Sequence, residues 1–212
     1  MTNKYHKRPI YWNKAIDYLK KNDPILKQIL MKAKRDIFLT RNCTPFQTLV
    51  NAILGQQISV KAATSVAKKL QEKTKKINPT NIYNASAQKL RGCGLSKQKI
   101  VYLKEISKKF ITTPRFFYNF KYLDDETIIQ KLCLLKGIGE WTAQMYLIFQ
   151  LNRPNVLPLG DLGFINSTTK LYKLSSKNNL KKITELSNNW IPYKTVAVWH
   201  IWRIIDADVV QY

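Results

Sequence analysis

The sequence LLKGIGEWTA, residues 134–143, decides the interpretation of this 212-residue chain. An apolar helical pattern ends at Gly137, and a new one begins directly after Gly139. Glycine adopts backbone conformations that other residues avoid, so such a turn can point its amides outward. The next helix adds free N–H groups and the positive end of its dipole, which suits a phosphate. The turn is therefore either a phosphate site or an ordinary corner between helices, and Glu140 counts against the first unless its side chain turns away.

Outward from this turn, helical patterns fill most of the chain. An Asp, Ser or Thr that can cap a helix precedes many of the apolar stripes. These residues are Asp23, Thr44, Ser59, Ser86, Ser96, Asp124 and Asp161. No useful period-two run indicates a strand. We therefore predict an all-α fold of about ten short helices, with residues 111–121 and 152–160 as connections.

The charge balance predicts a polyanionic partner. The chain has 36 basic and 13 acidic residues, a formal net charge of +23. Such an excess favours nucleic acid first and an anionic membrane surface second. Apolar stretches stay far below the roughly 18 residues of a membrane span, and residues 1–7 lack the apolar segment of a secretory signal.

Three cysteines, Cys43, Cys93 and Cys133, are too few and too widely spaced for a zinc or iron–sulfur site. We interpret all three as small core residues with reduced thiols, in a cytosol-like compartment.

Asp161 follows a loop constrained by Pro158 and Gly160, twenty residues after Trp141. An aspartate in this position most often caps a helix. A carboxylate there can also take part in catalysis, and the two roles are compatible.

Four segments, in this order along the chain, resemble a known family. They are ILGQQIS at 53–59, LLKGIGEWTA at 134–143, Gly160-Asp161, and WIPYKT at 190–195. Together they resemble the helix-hairpin-helix DNA glycosylase superfamily, and within it the 3-methyladenine DNA glycosylase II type, over about residues 40–206. The resemblance implies a two-lobed helix-hairpin-helix fold. One lobe would be 45–150 with the hairpin, the other 1–44 plus 151–212, and the active-site cleft would lie between them.

The resemblance assigns the chemistry to Asp161. Base removal passes through an oxocarbenium-like transition state, which a carboxylate can stabilise directly or by orienting the attacking water. In the bifunctional glycosylase-lyases a lysine follows the hairpin and forms a Schiff base, but this chain has Trp141 there. An indole cannot attack the sugar, so the resemblance implies a monofunctional enzyme.

The resemblance also implies the base pocket. Trp141 alone would more often be a core residue, but the family match places it in the pocket, with Met145 and Leu162. An electron-rich indole attracts the positive charge of an N3- or N7-alkylated purine. The family often has an aromatic residue where this chain has Met145.

DNA contacts are expected from the hairpin and from one earlier segment. The hairpin residues are Lys136, Gly137, Ile138, Gly139 and Thr142. Lys136 replaces the usual proline of the family. Gln56 and Gln57 stand where the family fills the gap left by a flipped base, although either could simply cap the helix that ends at Gly55.

The expected function is excision of 3-methyladenine- or 7-methylguanine-type bases from double-stranded DNA in base excision repair. We expect a monomer in a bacterial cytoplasm or nucleoid, or in a eukaryotic nucleus, with no required cofactor. The family's hairpin often holds a monovalent cation, here through the carbonyls of Cys133, Leu135 and Ile138. The alternatives are a glycosylase for hypoxanthine, uracil or mismatched bases, and a non-catalytic hairpin DNA-binding protein.

Overall fold

The structure, a computed structural model, describes residues 8–34 and 36–205, and these ranges contain helices and no strand. The α-helices are α1 Trp12–Asn22, α2 Pro24–Lys32, α3 Pro45–Gly55, α4 Val60–Thr74, α5 Pro79–Asn84, α6 Ala87–Arg91, α7 Lys97–Thr112, α8 Arg115–Tyr118, α9 Asp125–Cys133, α10 Glu140–Phe149, α11 Leu162–Leu171, α12 Asn179–Leu186 and α13 Lys194–Ile205. Short 3₁₀ segments lie at Asn119–Tyr122, Ser176–Asn178 and Ser187–Trp190. The predicted all-α class is confirmed. The helices outnumber the expected ten because α5 and α8, of six and four residues, are too short for a periodic pattern.

Packing divides the chain into two compact units. Residues 43–146, the hairpin unit, hold α3 to α9 and the first part of α10. The described residues of 8–42 and 147–205, the terminal unit, hold α1, α2, the end of α10 and α11 to α13. No helix in the described ranges is both long enough and apolar enough to cross a membrane.

Side-chain caps begin the helices of the hairpin unit where the sequence predicts them. The Thr44 hydroxyl accepts the Gln47 amide at 3.3 Å, and the Gln47 side chain accepts the Thr44 amide at 3.0 Å. Ser59, Ser86 and Ser96 each accept the amide three residues ahead, at the starts of α4, α6 and α7. These starts are confirmed because a cap depends only on residues three apart.

The connection predicted at 111–121 is mostly helical. Helix α7 extends to Thr112, and α8 and a 3₁₀ segment follow. Phe117 and Phe120 are only 5% and 1% exposed, and the Phe117 ring stacks on that of Phe110 at 3.7 Å. Burial of these rings stabilises turns too short to form by intrinsic propensity. Residues 152–160 are a loop, as predicted.

One buried carboxylate organises the terminal unit. Asp23 is 3% exposed and caps α2 by accepting the amides of Ile25 and Leu26. Its other oxygen accepts the Trp190 indole N–H at 2.8 Å and the Tyr172 hydroxyl at 2.6 Å. These four donors replace the water that the carboxylate loses on burial, so its role is structural.

His200 of α13 is a buried titratable group in the same unit. It is 4% exposed, and its ring lies against those of Trp12 and Trp199. Burial, with smaller contributions from Arg203 and Lys20, lowers the pKa of His200 from 6.5 to about 3. The imidazole is therefore neutral in the folded protein at neutral pH.

Stability should fall as the solution is acidified below the unfolded pKa of His200. Between pH 3 and pH 6.5 His200 is protonated in the unfolded chain but neutral in the folded one. Its contribution to the free energy of unfolding is therefore full above pH 6.5 and decreases as the pH falls toward 3. From pH 7 to pH 5 the loss should reach about 2 kcal/mol. Urea unfolding at both pH values measures it. His200→Leu should remove most of this difference, and an unchanged pH dependence in that variant would contradict the assignment.

Candidate active site and hairpin

The turn between α9 and α10 is tightly hydrogen-bonded. The Leu135 amide donates to the Leu132 carbonyl at 2.9 Å, and the Ile138 amide donates to the Leu135 carbonyl at 3.0 Å. Gly137 has φ +89°, in the left-handed region. The Ile138 side chain is 4% exposed. Ile138 therefore anchors the turn, and any contact it makes with DNA would come from its backbone.

The two glycines of the turn have different reasons to be glycine. A Cβ on Gly137 would lie 2.1 Å from Cγ of Tyr102 in α7, so the ring packs directly on the turn backbone. Its positive φ is also strained for any other residue. A Cβ on Gly139 would meet nothing within 4 Å, and Gly139 is exposed. The fold requires glycine at 137, whereas the bare backbone at 139 is open to an approaching ligand.

Gln56 connects α3 to the hairpin. Its backbone is the C-cap of α3, and its side-chain amide donates to the Gly137 carbonyl at 2.9 Å and to the Thr142 hydroxyl at 3.0 Å. Both acceptors lie more than 80 residues further along the chain. In this structure the Gln56 side chain therefore holds the hairpin, and its assignment to the flipped-base gap stays a prediction.

Gln57 differs from Gln56 in exposure and in backbone conformation, the two properties that decide whether a side chain can reach the gap left by a flipped base. It is exposed and has φ +58°, so the chain turns sharply there. Its assignment to the gap stays a prediction, which its exposure favours over that of Gln56.

The remaining hairpin residues divide between interior and surface. Thr142 is 2% exposed and its hydroxyl accepts from Gln56, so its contact with DNA stays a prediction that concerns its backbone. Lys136 is exposed, as a phosphate contact requires. The Glu140 carboxylate accepts the Gln144 side chain at 3.0 Å, along its own helix. That direction reduces the expected conflict between Glu140 and a phosphate.

The predicted pocket residues lie in different surroundings. Trp141 is half-buried in the first turn of α10, whereas Met145, one turn further on, is 1% exposed. Leu162 belongs to the terminal unit, follows Asp161 and is 74% exposed. Met145 thus offers little surface to a base, because its side chain fills the interior. All three assignments stay predictions.

The carbonyls expected to bind a monovalent cation lie around the same turn. The Leu135 carbonyl already accepts the Ile138 amide, and its second lone pair could serve a cation. Cys133 is exposed, so its interpretation as a core residue is wrong: α9 ends there and its last residue faces outward. Cys93 is buried, as predicted, and Cys43 is half-buried.

Asp161 begins α11 as its N-cap. One carboxylate oxygen, Oδ1, accepts the Phe164 amide at 2.7 Å and the Trp202 indole N–H at 3.1 Å. Asp161 remains half-buried, in contrast to the enclosed Asp23. The cap predicted from the sequence is confirmed. A carboxylate held by two donors and still reached by solvent is suited to catalysis as well.

Trp202 contacts Asp161, and the sequence did not reveal this contact. Its ring is half-buried, stacks on Phe149 at 5.9 Å with an interplanar angle of 14°, and donates to Asp161. It lies near the end of α13. Its distance of 41 residues from Asp161 leaves no local pattern that could have shown the contact.

Comparisons with known proteins identify the family. The sequence profile of the HhH-GPD superfamily base excision DNA repair proteins matches residues 50–193. DNA-3-methyladenine glycosylase 1 of Schizosaccharomyces pombe is 31% identical over 166 residues, covering 75% of this chain and 72% of the relative.

Two solved structures share the fold, with sequence identities similar to that of the S. pombe relative. The S. pombe 3-methyladenine DNA glycosylase in complex with abasic DNA matches with a TM-score of 0.81 at 27% identity, covering 94% of this chain and 98% of its own. The DNA-3-methyladenine glycosidase of Bacillus halodurans matches with a TM-score of 0.74 at 30% identity, covering 91% and 89%. Since the family profile spans more than half of the residues, this chain belongs to the HhH-GPD superfamily of base excision DNA repair proteins.

Proposed function

We propose that this protein is a monofunctional DNA glycosylase that excises alkylated bases, of the 3-methyladenine and 7-methylguanine type, in base excision repair. The observation that carries the proposal is Asp161, a half-buried carboxylate at the start of α11 held by the Phe164 amide and the Trp202 indole. The named relatives, which are 3-methyladenine glycosylases, support the substrate class.

Asp161 acts on charge that develops in the sugar. As the N-glycosidic bond breaks, the electron pair leaves with the base and positive charge grows on the deoxyribose. A carboxylate already oriented by two donors stabilises that charge without reorganising, and it can orient the water that attacks the anomeric carbon. The products are a free base and an abasic site.

The residue after the hairpin determines what happens to the strand. Covalent catalysis at the sugar needs an amine to form a Schiff base, and Trp141 has none. The abasic strand should therefore stay intact until alkali is added. Borohydride should trap little covalent adduct between protein and DNA.

The protein binds the phosphate backbone of the DNA and opens the duplex at the damaged base. The exposed Gly139 backbone and the start of α10 receive a phosphate, Lys136 adds charge, and the net charge of +23 supplies general attraction. Gln57 fills the gap left by the flipped nucleotide. The protein acts as a monomer, and the carbonyls of Cys133, Leu135 and Ile138 bind a monovalent cation that stiffens the turn.

A base-release assay on one set of duplexes tests this function. The duplexes carry 3-methyladenine, 7-methylguanine, hypoxanthine or uracil at the same position. Release of the two methylated bases, with an alkali-labile but intact strand, is the expected result. Preferential release of hypoxanthine or uracil would support the deaminated-base alternative. Binding without release of any base would support a non-catalytic DNA-binding protein.

Trp141→Ala should lower excision of cationic bases more than that of neutral ones. The cation–π contribution is worth about 0.5–2 kcal/mol, a factor of a few up to about thirty. Lost stacking area affects both kinds of base, so the ratio of rates for 7-methylguanine and hypoxanthine is the informative quantity. Trp199→Phe, a change at a core tryptophan that is 2% exposed, is the control and should leave the ratio unchanged. An unchanged ratio in Trp141→Ala would remove this residue from the pocket.

A further inference from the structure

Lys99 lies half-buried in the first turn of α7 and points into the hairpin unit. Its ammonium donates to the Leu54 carbonyl at 2.7 Å and to the Gln56 carbonyl at 2.8 Å. These carbonyls lie at the C-terminal end of α3, where the helix has unsatisfied acceptors and the negative end of its dipole. Lys99 therefore holds the end of α3 from a helix more than 40 residues further along the chain.

The second of these carbonyls belongs to the residue that holds the hairpin. The Gln56 side chain donates to the Gly137 carbonyl and to the Thr142 hydroxyl. Lys99 fixes the backbone of Gln56, and Gln56 fixes the turn. The next residue is Gln57, exposed and in a left-handed conformation. The ammonium of Lys99 thus bonds the residue that joins the hairpin turn to the segment that carries Gln57.

A second residue of α7, Tyr102, contacts the hairpin turn directly. The Tyr102 ring packs on Gly137, and the Gln98 side chain donates to the Tyr102 hydroxyl. The two contacts of α7, one through Gln56 and one through Tyr102, meet at the same glycine. The hairpin turn therefore packs against α7, although in the sequence it connects α9 to α10.

We propose that Lys99 is a positioning residue for lesion extrusion: through Gln56 it holds the Gln57 segment and the hairpin turn in the arrangement that grips DNA and replaces the flipped base. The proposal rests on the proposed function. Lys99 touches no reacting group in this arrangement, so its removal should affect the opening of the duplex more than the chemistry at the sugar.

Lys104 is a matched control within the same helix. Its ammonium also donates to two carbonyls at the C-terminal end of a helix, that of Tyr83 in α5 and that of Ala85, its C-cap. Burial lowers the pKa of both lysines. Lys104 shares the charge, the helix and the kind of contact. Among the described residues, no hydrogen bond joins the segment that it holds, Tyr83 to Ala85, to the hairpin turn. Comparing the two separates general stability from positioning.

The experiment compares Lys99→Met with Lys104→Met on two substrates. One duplex carries 7-methylguanine paired with cytosine, and the other carries it opposite an abasic analogue, where extrusion costs less. Lys99→Met should slow single-turnover excision about tenfold on the paired duplex, as loss of a charged hydrogen bond implies. On the unpaired lesion the slowing should be about threefold or less. Lys104→Met should change both rates alike.

A double-mutant cycle tests whether Lys99 acts through Gln56. If it does, adding Gln56→Met to Lys99→Met should slow excision of the paired lesion little further. Independent, multiplying effects would overturn the proposal, as would equal slowing of paired and unpaired lesions by Lys99→Met. If Lys99→Met does not fold, Lys99→Gln, which keeps a shorter donor, replaces it in the same comparison.

Hydrogen exchange in the hairpin distinguishes this inference from the proposed function. The Ile138 and Leu135 amides are bonded within the turn, so peptides covering 134–143 should exchange faster in Lys99→Met than in Lys104→Met. If the wild type releases no base but this difference is present, the glycosylase function fails and the link from Lys99 to the hairpin stands. If the wild type excises and the two variants exchange alike, the link itself is overturned.

Discussion

Asp161→Asn should abolish base excision while leaving the fold and DNA binding intact. Asparagine has nearly the same shape and caps helices as well as aspartate does. Its side-chain oxygen can still accept from the Phe164 amide and the Trp202 indole. Only the negative charge is lost, and with it the stabilisation of the oxocarbenium-like state. We expect the single-turnover rate to fall by about 100-fold or more, by analogy with removal of one group from an oxyanion hole.

The matched control is Asp124→Asn. Asp124 is also an N-cap, accepting the Thr127 amide at 2.8 Å at the start of α9. Its replacement should leave excision unchanged, because this aspartate only begins a helix. Thermal unfolding and fluorescence anisotropy with duplex DNA verify that both variants fold and bind. Near-wild-type excision by Asp161→Asn would falsify the catalytic assignment.

Gly137→Val and Gly139→Val should fail in different ways. At Gly137 a side chain would overlap the Tyr102 ring and force a β-branched residue to φ +89°. The combined overpacking and backbone strain should cost about 2–6 kcal/mol of stability. At Gly139 a side chain enters open space. That variant should unfold like the wild type but bind all duplexes about tenfold more weakly, since phosphate contacts carry no sequence information.

Tyr102→Ala distinguishes the steric overlap at residue 137 from the backbone strain there. The aromatic ring is the group that a Cβ at 137 would meet, so the double variant Gly137→Val/Tyr102→Ala should lose the clash and keep the strain. Urea unfolding should show that the valine destabilises the Tyr102→Ala background less than the wild-type background. Equal destabilisation in both backgrounds would mean that strain alone makes glycine necessary there. Wild-type DNA affinity in Gly139→Val would place the phosphate elsewhere.

Residues close together in the sequence account for what could be predicted without a structure. The caps at Thr44, Ser59, Ser96 and Asp161 join groups three residues apart, so the sequence contains both partners of each bond. The all-α class follows from the same local patterns. The family, too, was evident from short motifs, of which the hairpin and its downstream aspartate are the most informative.

Tertiary structure alone decided which of two similar residues does what. The sequence does not distinguish Gln56 from Gln57, or Gly137 from Gly139, because each pair shares one motif. Only the structure shows that Gln56 bonds the hairpin and that Gly137 lies under a ring of α7. The same holds for Lys99 at the end of α3 and for Trp202 at Asp161. These contacts join residues 35 to more than 80 positions apart in the sequence. The packing of distant helices determines which residues meet, and no local sequence pattern indicates the partners.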